Sequence, residues 1–258
     1  MRMADELLDA LRSSKKYAAM DEELLLRVLE EERSRHSKTK DILKAAKNHL
    51  HQIHGAYAGD EGKALRRLVA EGPLCGREQA FLERHASTRE RLPIAEEFFR
   101  TAFAGCPGVR SVLDLGCGLN PFFLPLMPAS IERYTALDMD GEAAALLNRY
   151  FAERGLPQEA SLADLVQRTP QIQADLAFLL KLFPVLEQQK KGRSLELLSE
   201  LRSRVACVSF PLRSLSGKRK GMEESYTVFF EGLLGGSGWR VQEKRSFPGE
   251  LLYVLSKG

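Results

Sequence analysis

The residues of this 258-residue chain best suited to chemistry gather at a short turn, LDLGCGLNP, at residues 113–121. An apolar, β-type run delivers Asp114, and Gly116 and Gly118 follow at once. Glycines there permit positive φ and let the main chain approach a ligand closely. In sheets of parallel strands, ligands lie at the carboxyl ends of the strands. The dinucleotide pattern G-x-G-x-x-G fails, because Pro121 stands where its third glycine belongs. Pro121, Pro125 and Pro128 also speak against a long helix whose N-terminus would cradle a pyrophosphate. Asp138 closes the next strand, 22 residues beyond Gly116, where a carboxylate accepts both hydroxyls of a ribose. Asp164, in SLADLV, follows a further short strand and is placed to accept from an adenine amino group. Each aspartate taken alone also fits ordinary loop capping, and such glycine turns also bind dinucleotides or merely pack. Taken together they favour a nucleoside ligand without phosphates.

The elements that must position these residues alternate between strand and helix. From residue 110 onward, RSVLDLGCG, ERYTALDMD, DLAFLLKLF and RVACVSFP read as strands, with helical GEAAALLNRYFAERG and VLEQQKKGRSLELLSELRSR between them. Alternation of this kind implies βαβ units and a parallel sheet. A last helix near residues 222–234 precedes two closely spaced strands, WRVQEKRSF and ELLYVLSKG, joined by Pro248-Gly249. A terminal antiparallel hairpin on a parallel sheet is the usual ending of Rossmann-like methyltransferases that use S-adenosylmethionine (SAM), a nucleoside cofactor without phosphates. Residues 1–109 read as helices instead. Leu7, Leu8 and Leu11 share one face, as do Leu24, Leu25, Val28 and Leu29 behind an Asp21 N-cap, and Ile42, Leu43, Ala46, Leu50 and Ile53. Two shorter helices, GKALRRLVAEG and EQAFLERHA, follow, and STRERLPIAEEFFRTAFAG opens with Ser87, Thr88 and Glu90 as a capping signal. The expected fold is α/β. A helical N-terminal domain (1–109) precedes a Rossmann-like SAM-dependent methyltransferase domain (110–258), a seven-stranded doubly wound sheet with a terminal antiparallel hairpin.

Composition is that of a soluble globular protein, 44% apolar and 28% charged. No apolar run approaches the ~18–20 residues of a membrane span, and the amphipathic N-terminus lacks a leader pattern. A cytoplasmic protein is therefore expected, with monomer as the default state. Cys75, Cys106, Cys117 and Cys207 form no C-x-x-C pair and read as reduced thiols. Net charge is only +3, but it is unevenly placed. Residues 33–67 carry nine Lys/Arg against three acids, and residues 213–220 carry four cations and no acid. Two basic patches on a nearly neutral chain suggest a polyanion at a defined surface, although each alone also fits a solvated helix face or loop. His36, His49, His51 and His54 lie in the first patch, but no clustered acid or cysteine completes a metal site, and no metal is expected.

Four blocks then carry a resemblance. HASTRERL (85–92), LDLGCGLNP (113–121), LLKLFPVLEQQKKG (179–192) and SFPLRSLSGKRKGME (209–223) closely resemble, in order, the aminoglycoside-resistance 16S rRNA methyltransferases that modify guanine 1405 at N7. The SKKY (14–17) and GAY (55–57) segments extend the likeness over nearly the whole chain. The resemblance implies SAM contacts at Tyr57, His85, Ala86, Ser87, Arg91, Gly116, Asp138, Asp164, Leu165, Leu180 and Gln189. Arg91 suits the methionine carboxylate, because guanidinium binds carboxylate in a bidentate fork. The family often carries alanine where Gly116 stands. The resemblance also implies that the helical domain docks on rRNA of the assembled 30S subunit. The phosphate contacts would come from Arg33, Arg35, Lys38, Lys40, Lys44, Lys47, Arg66 and Arg67, with Lys218 and Arg219 from the second patch.

Such a reaction needs no general base. Guanine N7 carries an in-plane lone pair, so catalysis is alignment within ~3–3.5 Å on a base made accessible by flipping. Ser209, Phe210, Arg213, Lys220 and Lys181 are the expected positioning residues, with Phe210 stacking on a base and the cations holding phosphate or the O6/N7 edge. Phe210 as a core aromatic and Lys181 as a surface lysine are the plainer alternatives. A small-molecule methyltransferase and a non-catalytic RNA-binding module are the competing functions. The first lacks the apolar lid it would need, and the second would be favoured by loss of Asp138 or of the glycine turn, both of which are intact.

Overall fold

The computed structural model describes residues 2–14, 17–55, 61–212 and 221–257. Seven strands form one sheet: β1 (Ser111–Leu115), β2 (Arg133–Asp138), β3 (Glu159–Leu162), β4 (Ala174–Leu180), β5 (Ser203–Pro211), β6 (Trp239–Phe247) and β7 (Glu250–Lys257). Their order is β3-β2-β1-β4-β5-β7-β6. The first five are parallel, and β7 runs antiparallel to both β5 and β6. This is the doubly wound sheet with a terminal hairpin that the sequence led us to expect. Helices cover both faces, so the central strands are apolar on both sides. Along β4, Leu176, Phe178 and Leu180 enter one core while Ala177 and Leu179 enter the other.

The helices are α1 (Arg2–Arg12), α2 (Glu22–Arg35), α3 (Thr39–Gly55), α4 (Glu61–Ala70), α5 (Glu78–Leu82), α6 (Ala86–Arg91), α7 (Ala95–Ala104), α8 (Gly141–Glu153), α9 (Phe183–Gln189), α10 (Arg193–Glu200) and α11 (Met222–Leu234). The Asp21 cap forms as expected, accepting from the Leu24 N–H at 3.0 Å. The cap proposed at Ser87 and Thr88 does not. α6 begins one residue earlier without a side-chain cap, and the Thr88 hydroxyl donates backward to the Leu82 and His85 carbonyls. Pro93 then closes the segment as a 3₁₀ turn. The long helical stretch read at 185–204 is two helices, because Gly192 adopts φ +82°.

The hydrophobic cores divide the helical half. Leu7, Leu11, Leu24, Leu25, Val28, Ile42, Ala46 and Leu50 form a core of α1–α3 alone. Leu74, Phe81, Phe98, Phe99 and Phe103, by contrast, belong to the core beneath the sheet. The packing boundary therefore falls before α4, whereas the composition shift in the sequence falls near residue 109. The segment joining α1 to α2 is stitched to the β2–α8 turn by main chain: Gly141 N–H donates to Ala19 O (2.9 Å) and Asp21 N–H to Met139 O (3.3 Å). Gly141 is required there because a Cβ would overlap the Ala19 carbonyl. Gly141→Ala should therefore cost about 1–3 kcal/mol by overpacking and should open α1–α3 to limited proteolysis. Wild-type thermal unfolding and an unchanged digestion pattern in the variant would contradict this.

Candidate active site at the carboxyl edge of the sheet

The strand order reverses between β1 and β4, so the carboxyl ends of β1–β4 border a crevice. Gly116 and Gly118 adopt φ +66° and +49° in the turn after β1. The N–H groups of Gly116 and Cys117 both donate to Leu137 O, which ties the turn to the end of β2. Half-buried Asp138 accepts from Gly118 N–H at 2.8 Å and Asp140 N–H at 3.1 Å. A carboxylate has about four lone-pair sites, so an oriented Asp138 can accept hydroxyls in addition. A Cβ on Gly118 would meet the His85 ring at 3.0 Å, and one on Gly116 would meet Leu182 at 2.9 Å. His85 and Leu182 thus close in on the turn from opposite elements. Ala86 and Ser87 follow at the start of α6, half-buried.

Asp164 lies just past β3 and is buried. It accepts from Val166 N–H at 2.9 Å and from the Arg27 Nε of α2 at 2.8 Å. Arg27 Nη2 also donates to Gln189 Oε1 at 2.8 Å, so α2 links Asp164 to the end of α9. Leu165 and Leu180 are buried beside this edge. One carboxylate suited to a hydroxyl pair, one suited to an amino group, and a glycine-backed turn between apolar walls suit SAM.

A chain of buried polar groups lies beneath. Arg91 forms a bidentate pair with Glu250, Nη2–Oε1 2.6 Å and Nε–Oε2 3.2 Å, with both side chains 1% exposed. Its Nη1 donates to Asn120 Oδ1, and Asn120 Nδ2 donates to Asp114 Oδ2, which also accepts from the Tyr134 hydroxyl. Arg91 therefore offers its fork to Glu250 inside the protein, where the sequence suggested the methionine carboxylate. Burial pushes the Asp114 carboxyl up to about 6, against the hydrogen bonds from Tyr134 and Asn120 and the Arg91 charge. Burial also opposes ionisation of Glu250, but the Arg91 and Lys181 charges and the bonds from Arg91 and Ser209 outweigh it and hold this carboxyl below its usual range.

Two expected positioning residues, Ser209 and Phe210, also need correction, and the plainer reading of Lys181 does not hold. Ser209 is fully buried within β5, and its hydroxyl donates to Glu250 at 2.6 Å. Phe210 is fully buried, stacked on Tyr226 and packed against Phe183, Phe230 and Tyr253, so its ring builds the core and presents no face to a base. Lys181 is 3% exposed and pairs with Glu90 (2.6 Å) and Glu250 (3.7 Å), so it is no surface lysine. It adopts φ +58°, which makes it the one non-glycine residue with positive φ among the described residues. Such strain collects where surrounding structure over-determines a residue. Tyr57, Arg213, Lys218, Arg219 and Lys220 lie outside the described residues.

On the helical face, Arg33, Arg35, Lys38, Lys40, Lys44, Arg66 and Arg67 are exposed and Lys47 is half-buried. Arg33, Arg35 and Arg66 also pair with Glu30, Glu32 and Glu142. His49 meets Glu32 at 2.9 Å. Among the described residues, no three His, Cys, Asp or Glu side chains group as a metal site, and no helix is long and apolar enough to cross a membrane. Sequence reasoning missed Glu250, Asn120, Glu90 and Arg27. Glu250 had a signal: it is the lone acid opening the otherwise apolar run ELLYVL.

Removing one member of a buried ion pair strands the other, at about 3–5 kcal/mol. Glu250→Gln should lower the unfolding free energy by that order at neutral pH. A carboxyl held low in the fold stabilises above its ordinary value of 4.5 and loses that contribution as pH falls through its folded value. The gap between wild type and variant in urea unfolding should therefore be full at pH 7 and narrow as pH drops below about 4.5. A constant or negligible gap would contradict the assignment.

The family model described as ribosomal RNA methyltransferase (FmrO) matches residues 12–254. The 16S rRNA (guanine(1405)-N(7))-methyltransferase of Serratia marcescens is 34% identical over 98% of each chain. The enzyme of the same description from Frankia casuarinae is 31% identical over 98% of this chain and 93% of its own. Among solved structures, the 16S rRNA methyltransferase RmtF in complex with S-adenosyl-L-homocysteine superposes with TM-score 0.87 at 39% identity, covering 100% of this chain and 99% of that one. The 16S rRNA methylase RmtB gives TM-score 0.84 at 30% identity over 99% and 98%. With the sheet order, the glycine turn and the carboxylates at its edge, these matches mean that the chain belongs to the ribosomal RNA methyltransferase (FmrO) family.

Proposed function

We propose that this protein transfers the methyl group of SAM to N7 of guanine 1405 in 16S rRNA of the assembled 30S subunit. The modification would confer resistance to 4,6-disubstituted deoxystreptamine aminoglycosides such as gentamicin and kanamycin. The observation that carries the reading is the carboxyl edge itself, where Asp138 and Asp164 flank the glycine turn in a chain alike over its whole length to enzymes of that description.

SAM supplies the electrophilic methyl group when bound. The protein's share is placement. Asp138, oriented by two backbone N–H groups, is assigned to the ribose, and Asp164 with Leu165 and Gln189 to the adenine. His85, Ala86, Ser87 and Leu180 border the same edge. Arg91 and Lys181 act from below through Glu250, holding α6, β4 and β7 in one arrangement. Because N7 enters with a free lone pair, no side chain must remove a proton, and rate comes from alignment. The basic residues of α2, α3, α4 and the α2–α3 link are assigned to rRNA phosphates together with Lys218 and Arg219, and Arg213 and Lys220 to phosphate or the O6/N7 edge of the target base. Monomeric action in the cytoplasm belongs to the same proposal.

Incubation with tritiated methyl-SAM should label 30S subunits, and Asp138→Ala should reduce labelling at sub-saturating SAM by at least about tenfold, as loss of charged hydrogen bonds worth ~1.5–3 kcal/mol requires. Expression in a susceptible bacterium should raise tolerance to gentamicin and kanamycin. Unlabelled 30S subunits with measurable SAM binding would overturn the rRNA reading in favour of a small-molecule substrate.

A further inference from the structure

The adenine end of the crevice is held by a residue that lies outside the sheet domain. Arg27 stands on α2, in the helical layer with its own core, yet its side chain is only 7% exposed. Its guanidinium reaches Asp164 through Nε (2.8 Å) and Nη2 (3.5 Å), Gln189 Oε1 through Nη2 (2.8 Å) and Glu31 through Nη1 (3.1 Å). The contacts to Asp164 and Gln189 span 137 and 162 residues of sequence. Guanidinium donates and never accepts. Gln189 must therefore turn its oxygen toward Arg27, which fixes the amide in one of its two orientations. Asp164, held by Arg27 on both oxygens and by Val166 N–H on one, is an acceptor in a fixed place.

We propose that Arg27 is a positioning residue of the cofactor site, locking Asp164 and Gln189 in the arrangement that selects a 6-amino purine. The inference rests on the assignment of Asp164 and Gln189 to the adenine. A fixed, salt-bridged carboxylate accepts from an exocyclic amino group and repels an exocyclic carbonyl. With the guanidinium gone, the Asp164 side chain keeps the Val166 N–H on one oxygen alone, and the Gln189 amide is released to turn either its oxygen or its nitrogen toward the purine. An amide nitrogen donates to a carbonyl, so the preference for amino over oxo collapses. Lysine at position 27 restores charge but cannot bridge two partners with a planar fork.

The test is calorimetric titration of the full-length protein with S-adenosyl-L-homocysteine and with its 6-oxo analogue, S-inosyl-L-homocysteine. Wild type should prefer the adenosyl ligand by at least about 100-fold, consistent with sites built to hydrogen-bond one polar group. Arg27→Met and Arg27→Lys should weaken the adenosyl ligand and shrink that preference to within about tenfold. A residue that only staples α2 to the sheet would weaken both ligands in proportion and leave the ratio unmoved. If Asp164→Asn loses the preference while both Arg27 variants keep it, the inference falls and the assignment of Asp164 stands. If all three keep it, the assignment falls and the inference with it.

Discussion

The Arg91–Glu250 pair organises the site. Two opposite charges 1% exposed are favourable only when geometry is close and the remaining hydrogen-bonding capacity is met. Here both conditions hold. Glu250 receives the Arg91 fork, the Ser209 hydroxyl and the Lys181 charge, while the third guanidinium nitrogen reaches Asn120 and, through it, Asp114 and Tyr134. One connected network thus fixes α6, β1, β2, β4, β5 and β7 relative to one another. The start of α6 and the turns after β1, β2 and β4 at the carboxyl edge hang from these elements. The placement of His85, Ala86 and Ser87, the path of Gly116 and the strained Lys181 turn all follow from it.

A second constraint acts from the opposite side. The α1–α3 layer has its own core and meets the sheet through main-chain bonds at Gly141 and Asp21 and through the Arg27 contacts. These fall on the turns after β2 and β3, which carry Asp138 and Asp164. The layer whose outer face bears exposed Lys38, Lys40 and Lys44 therefore also buttresses the nucleoside end of the crevice. The proposed docking of substrate on this layer would therefore share one set of contacts with the cofactor geometry.

The sheet was legible in the sequence because its strands are short, apolar and separated by glycine turns and helical periodicity, which are local signals. The glycine turn, Asp138 and Asp164 were legible for the same reason. What lies across the fold was not. Arg27 meets Asp164 137 residues away, and nothing in EELLLRVLEEE marks which cation turns inward. Arg91 read, from the resemblance, as a ligand for the methionine carboxylate because a guanidinium forks onto a carboxylate, but the carboxylate it meets in the fold is that of Glu250, 159 residues on. Phe210 sits in a loop-like run, SFPLRS, yet β5 extends to Pro211 and pairs Phe210 with Leu251, which carries the ring inward. The helical half split where its apolar faces found different cores, a matter of packing that composition does not encode.

What remains at the crevice is a site built to hold a phosphate-free nucleoside and to align a nucleophile that brings its own lone pair. The decisive experiment is primer extension on 16S rRNA from 30S subunits incubated with the protein and SAM, after chemical cleavage at N7-methylguanine. A new stop at guanine 1405 that needs SAM and disappears with Asp138→Ala is the expected result. Methylated 30S subunits with no cleavage at that position would contradict the proposed target atom.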